Sequence, residues 1–206
     1  WFRPTMARTG PDGAIWVADM YRHVIEHPQW IPQEMQEKLD LRAGKEQGRI
    51  YRIVKDETPL RSVPRLDQLS DSELVQVLES PNGTQRDMVH QWIVSRKQLS
   101  TVPELKRMVA TGKAATARLH ALCVLDGLGE ITAAEVMTAL SDSHPGVRRH
   151  AIRIGENFVN ESPEIGSKYL NLVNDTDPQV QMQLAYSLGE WNSPKAGVAL
   201  AQLVLK

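Results

Sequence analysis

The sequence predicts a mainly α protein, an α-solenoid over residues 66–206 preceded by a small β segment over residues 1–58. Three observations predict it. Turn-forming clusters recur at steps of about 31 to 33 residues after Leu66, the mark of stacked helical repeats. Before Lys55 the apolar pattern instead alternates, as in Arg49-Ile50-Tyr51-Arg52-Ile53-Val54. Composition is ordinary for a folded protein: 41 % hydrophobic and 24 % charged residues, with a formal net charge of −1.

The β elements come first. Arg3 to Thr9 reads as a weak strand, followed by the tight turn Gly10-Pro11-Asp12-Gly13 and a second strand over Ala14-Ile15-Trp16-Val17-Ala18. Arg49 to Val54 is the third. Three strands make a partial sheet that cannot bury both of its faces. Between the second and third lies a long excursion, residues 21–48, holding Pro28, Pro32 and a short helical stretch from Gln33 to Leu39. Connections this long tend to carry function or to cover a neighbouring surface. Residues 59–65 read as a linker.

The α elements follow in register. Ser80-Pro81-Asn82-Gly83, Thr111-Gly112-Lys113, Asp142-Ser143-His144-Pro145 and Asp175-Thr176-Asp177-Pro178 are successive turns. Each precedes a similar amphipathic helix, most plainly Val147-Arg148-Arg149-His150-Ala151-Ile152 and Val180-Gln181-Met182-Gln183-Leu184-Ala185. This gives about four repeats plus the first helix of a fifth. The turn chemistry resembles HEAT-type repeats. That resemblance implies that Asp142 and Arg148 bond across their own turn, while Gln181 leaves Asp175 with a weaker partner. A solenoid also offers a concave face, here lined by the second helices, on which a protein partner can dock.

Composition excludes several functions. No apolar run approaches the roughly 20 residues of a bilayer span. The balanced charge leaves no footprint for nucleic acid. A single cysteine, Cys123, excludes an internal disulfide and the C-x-x-C-H attachment of covalent haem. No phosphate-cradling glycine loop or nucleophile elbow is present. The chain opens on Trp1-Phe2-Arg3-Pro4 and closes on an apolar run, so the sequence is expected to be a piece of a longer protein.

Candidate sites concentrate in the β segment. His23, Glu26 and His27, with Asp19 upstream, are the densest group of ligating side chains and the candidate metal site. The bland alternative is a loop whose His and Glu bond to backbone. Asp19, Tyr21, Arg22 and His27 are the candidate catalytic residues, set where a strand end leads into a loop. Against this stands an ordinary ion pair pinning loop to sheet. Cys123 lies on an apolar helix face, with His120 as the nearest base in sequence, and is read as buried. His90, His144 and His150 are read as structural.

Read together, Trp1-Phe2-Arg3-Pro4, Gly10-Pro11-Asp12-Gly13-Ala14, Asp19-Met20-Tyr21-Arg22, Val24-Ile25-Glu26-His27-Pro28 and Gly48-Arg49-Ile50-Tyr51-Arg52-Ile53 resemble the closing part of a β-propeller blade. The family is the PVC-type membrane-bound dehydrogenases, also called haem-binding C-x-x-C-H proteins. Their propeller is similar to quinone-dependent sugar dehydrogenases and is followed by HEAT-like repeats and a cytochrome c domain. The resemblance implies a periplasmic or cell-envelope oxidoreductase with haem c in a domain outside this chain, and a quinone or calcium in the propeller. It makes the other blades and that C-terminal domain the first partners of the chain. The leading expectation is a non-catalytic scaffold within such a protein, binding no cofactor itself. Residues 19–27 as part of a propeller-mouth active site, and a free-standing HEAT-repeat adaptor, are the alternatives.

Overall fold

A computed structural model describes residues 1–205; Lys206, the last residue of the predicted solenoid, lies outside the described residues. The chain divides into two compact units at Pro64 and Arg65.

In the first unit, β1 (Pro4–Thr9), β2 (Ile15–Asp19) and β3 (Arg49–Ile53) form an antiparallel sheet in the order β1-β2-β3. The turn between β1 and β2 uses Gly13 at φ +86°, a conformation that costs glycine little. The buried Asp12 carboxylate accepts from Ala14 N and Trp16 Nε1, which closes this turn. Residues 20–48 hold a 3-10 turn, Pro28–Trp30, and a short helix, α1 (Gln33–Gln36). The sheet buries little by itself. Val17 is buried, whereas Ile50 and Ile53 on the neighbouring strand are 68 % and 54 % exposed.

The second unit stacks helices in pairs: α2 (Asp71–Val77) with α3 (Gly83–Arg96), α4 (Val102–Thr111) with α5 (Ala115–Leu128), α6 (Ala133–Ala139) with α7 (Pro145–Gly155), and α8 (Pro163–Leu172) with α9 (Pro178–Leu188). A last helix, α10 (Pro194–Val204), follows. This is the predicted solenoid of four repeats and one further helix. First helices pack on first helices and second on second, so the array has two layers. Local chemistry sets the boundaries. Capping boxes Ser70/Glu73 and Thr132/Glu135 start α2 and α6, and prolines open α7 to α10. Between the layers lie Leu74, Ile93, Leu105, Leu122, Ile152 and Leu184, all fully buried. Each contributes roughly 1.5–3 kcal/mol by leaving water.

The repeat turns differ from expectation. The Asp142 carboxylate does not pair with Arg148, which meets Asp142 only at its backbone carbonyl. Arg118 reaches Asp142 with Nε and Nη2 at 2.6 and 2.8 Å, and Arg148 reaches Asp175 at 2.7 Å with both nitrogens. Each arginine therefore binds the aspartate of the following repeat. Its third nitrogen turns back onto its own turn, Arg148 Nη1 donating to the Asp142 carbonyl at 2.9 Å. The reason is geometric: the guanidinium fork has donors on two edges, and the stacked turns present a carboxylate to one and carbonyls to the other. Gln181 has a single amide and keeps only the backward bonds, to the Asp175 carbonyl at 2.7 Å and the Val173 carbonyl at 3.4 Å. Each aspartate also accepts from the N–H two residues on, at His144 and Asp177.

Exposure at the two ends makes a prediction. Alone in solution, the chain is expected to fray or self-associate at residues 1–58 and 195–205, where Ile50, Val198 and Val204 are exposed. Residues 84–191 should stay protected. Hydrogen exchange on a dilute sample checks this, and uniform protection would contradict it.

Candidate functional site

Asp19 ends β2, and its side chain is shielded from solvent. Oδ1 accepts from the N–H groups of Arg3 at 2.7 Å and Tyr21 at 2.9 Å, and Oδ2 accepts from Arg49 Nε at 3.2 Å. Loss of water would raise this carboxyl, but the two N–H bonds and Arg49 together bring it below its ordinary value. Asp19 thus stays a carboxylate with its oxygens already engaged. Its ion pair is with Arg49, directly opposite in the β2–β3 register, and not with Arg22.

The bond to Tyr21 N holds a left-handed backbone, φ +49°, that few non-glycine residues adopt. This conformation lays the Tyr21 ring over Arg49, with the guanidinium carbon 3.9 Å from the ring centroid. Trp1 packs against Tyr21 and His23, at centroid distances of 5.8 and 4.8 Å. Phe2 meets Tyr51 edge-on. The outcome is a cluster of aromatic rings around one cation. Arg49, Trp1 and Tyr51 were not among the sequence candidates. Alternation within one strand does not say which residue of another it faces; the register does, setting Arg49 opposite Asp19.

The remaining candidates separate. Arg22 donates to the Leu41 carbonyl at 2.9 Å, pinning the excursion, and its buried Nε has no partner among the described residues. His27 caps the 3-10 turn, its Nδ1 accepting from Gln29 N at 3.2 Å. Glu26 lines a shallow cleft of about 490 Å³ with Met20, Arg22, Ile25, Leu41 and Arg42. Among the described residues no group of three or more His, Cys, Asp or Glu is placed to hold a metal ion. The structure therefore does not bring His23, Glu26 and His27 together, because His23 turns to Trp1 and His27 to its own turn.

Cys123 is half-buried on α5, and burial pushes its thiol up from the ordinary value. Its nearest imidazole is His150 on α7, with Sγ 3.9 Å from Nδ1, and not His120. Two clefts flank the solenoid turns, the larger about 440 Å³ and lined by Gln76, Glu79, Glu104, Arg107 and Lys113. No helix among the described residues is long and apolar enough to cross a membrane.

No curated protein matches the chain. The family described as a domain of unknown function (DUF7133) matches residues 1–57, which coincide closely with the sheet and its long excursion.

Proposed function

We propose that the chain is a non-catalytic scaffold and interaction module of a larger, exported, haem-linked dehydrogenase-like protein. The observation that carries this reading is the commitment of Asp19. A general base or metal ligand needs an oxygen open to its substrate, and the Asp19 side chain is shielded from solvent. Both Asp19 oxygens instead tie β1, the start of the excursion, and β3 together. Arg22 and His27 are likewise bonded to backbone. The exposed sheet suits packing against further strands, and the two-layered solenoid suits a protein partner on its second-helix face. The export and haem link rest on the resemblance of the β-segment motifs.

Titration of the chain with calcium, zinc and a soluble quinone tests the reading. The expected result is no stoichiometric binding by calorimetry and no dye reduction with sugar substrates. Stoichiometric calcium or quinone binding that Asp19→Asn abolishes would favour residues 19–27 as part of an active site. Coding sequence for further blades upstream and C-x-x-C-H downstream would support both the scaffold and the active-site reading over an adaptor. Its absence on both sides would leave a free-standing adaptor.

A further inference from the structure

The junctions between repeats are not built alike. Arg118–Asp142 joins the second repeat to the third, and Arg148–Asp175 joins the third to the fourth. Between the first and second, Arg86 occupies the arginine position, its Nη1 donating to the Ser80 carbonyl at 2.7 Å. The aspartate position, however, is Gly112. The buried Arg86 Nε consequently has no partner among the described residues. Glu79 replaces the missing carboxylate only in part, accepting from Lys113 N and Ala114 N.

What this junction has instead is a pair of imidazoles. His90 on α3 and His120 on α5 meet Nδ1 to Nδ1 at 3.3 Å, with their rings at 80°. Two lone pairs would repel at this distance, so one ring must donate Nδ1–H and the other accept. A first added proton preserves this bond, because a charged ring can still donate to a neutral one. A second converts the acceptor into a donor and sets two cations side by side in a half-buried gap. Arg86 of α3, and His150 of α7 once protonated, add positive charge near His120. The exposed Asp87, 3.9 Å from His120 Nε2, offsets only one charge. Burial lowers both rings below their ordinary value, in line with this geometry.

We infer that the His90–His120 contact is a proton-controlled joint, which holds the first repeat onto the second near neutral pH and releases it in mildly acidic medium. The direction follows from linkage. Both imidazoles are less basic folded than unfolded, so their contribution is full above the unfolded value. It is lost as pH falls through the folded values. Two protons taken up on opening raise the opening constant by about ten- to a hundredfold per pH unit. Among the described residues the other junctions show no such pair: His150 faces the Cys123 thiol.

Hydrogen exchange of the full chain, corrected for intrinsic rates, at about pH 7.5 and about pH 5.5 tests the joint. Residues 71–96 should lose at least about tenfold in protection, while histidine-free α9 keeps its own within about twofold. His90→Gln with His120→Gln should abolish the difference. An equal loss over α9, or an unchanged loss in the double variant, would overturn the inference. Imidazole NMR of the wild-type chain provides a second measurement independent of that variant's folding. The pair should titrate in two separated steps, and a single step at the ordinary histidine value would also overturn it.

Discussion

Asp142→Ala and Asp175→Ala should destabilise the solenoid equally, by about 2–4 kcal/mol each. Both carboxylates are nearly inaccessible, at 7 % and 5 % side-chain exposure, and both accept a two-pronged guanidinium. Removal strands Arg118 or Arg148 in a site with little water and leaves the His144 or Asp177 N–H without its acceptor. The within-turn pairing expected from the repeat resemblance makes a different prediction, a smaller loss at Asp175 because Gln181 follows it. Urea unfolding of the two variants separates these. A double-mutant cycle sharpens the test, since Arg148→Gln should couple to Asp175 and not to the Asp142 side chain. Burial would raise both carboxyls, but the arginines and N–H bonds hold them below their ordinary value. The contribution is therefore present above the unfolded carboxyl range and is lost as pH falls through the folded values.

Gly44→Ala is the largest effect expected in the first unit, a loss of about 2–4 kcal/mol in local stability. Gly44 has φ +84°, and a Cβ there would overlap the Tyr21 carbonyl oxygen. Alanine would strain the backbone and push the excursion off the residues that Asp19 orders. The neighbouring bonds, His23 N to the Ala43 carbonyl and Arg22 to the Leu41 carbonyl, should fail with it. Trypsin should then cut at Arg42 and Lys45 many times faster than in wild type. Gly197→Ala serves as control. Its Cβ meets nothing within 4 Å inside α10, so it should stabilise that helix by about 0.5–1 kcal/mol.

Features local in sequence were legible before the structure. The Gly10–Gly13 turn, the three strands and the repeat count follow from turn residues and apolar period, which act over a few positions. Contacts between repeats were not. The step from Arg118 to Asp142 is 24 residues and from Arg148 to Asp175 is 27. Turn chemistry alone does not say whether an arginine closes its own turn or the next. The His90–His120 contact spans 30 residues, close to one repeat, and that coincidence was a signal present in the sequence. In the β segment, Asp19 was found through its motif, while its partner Arg49 lies 30 positions away across the register. Motifs mark which residues are unusual; packing decides what they do.

The forward-reaching arginines also govern where this chain tolerates added sequence. The turns at 142–144 and 175–177 are each clamped by a side chain from the repeat before, so even a single inserted residue there would draw the carboxylate out of reach. Among the described residues the return connection 129–132 carries no such clamp. Asn160 joins the next two, its Nδ2 donating to the Glu190 carbonyl at 3.0 Å and its Oδ1 accepting from Asn192 N at 2.7 Å. A loop, a tag or an entire accessory domain grafted at 129–132 leaves Arg118 and Arg148 with their own acceptors. The array is thus open to insertion at 129–132 and closed to it at the turns that an arginine spans.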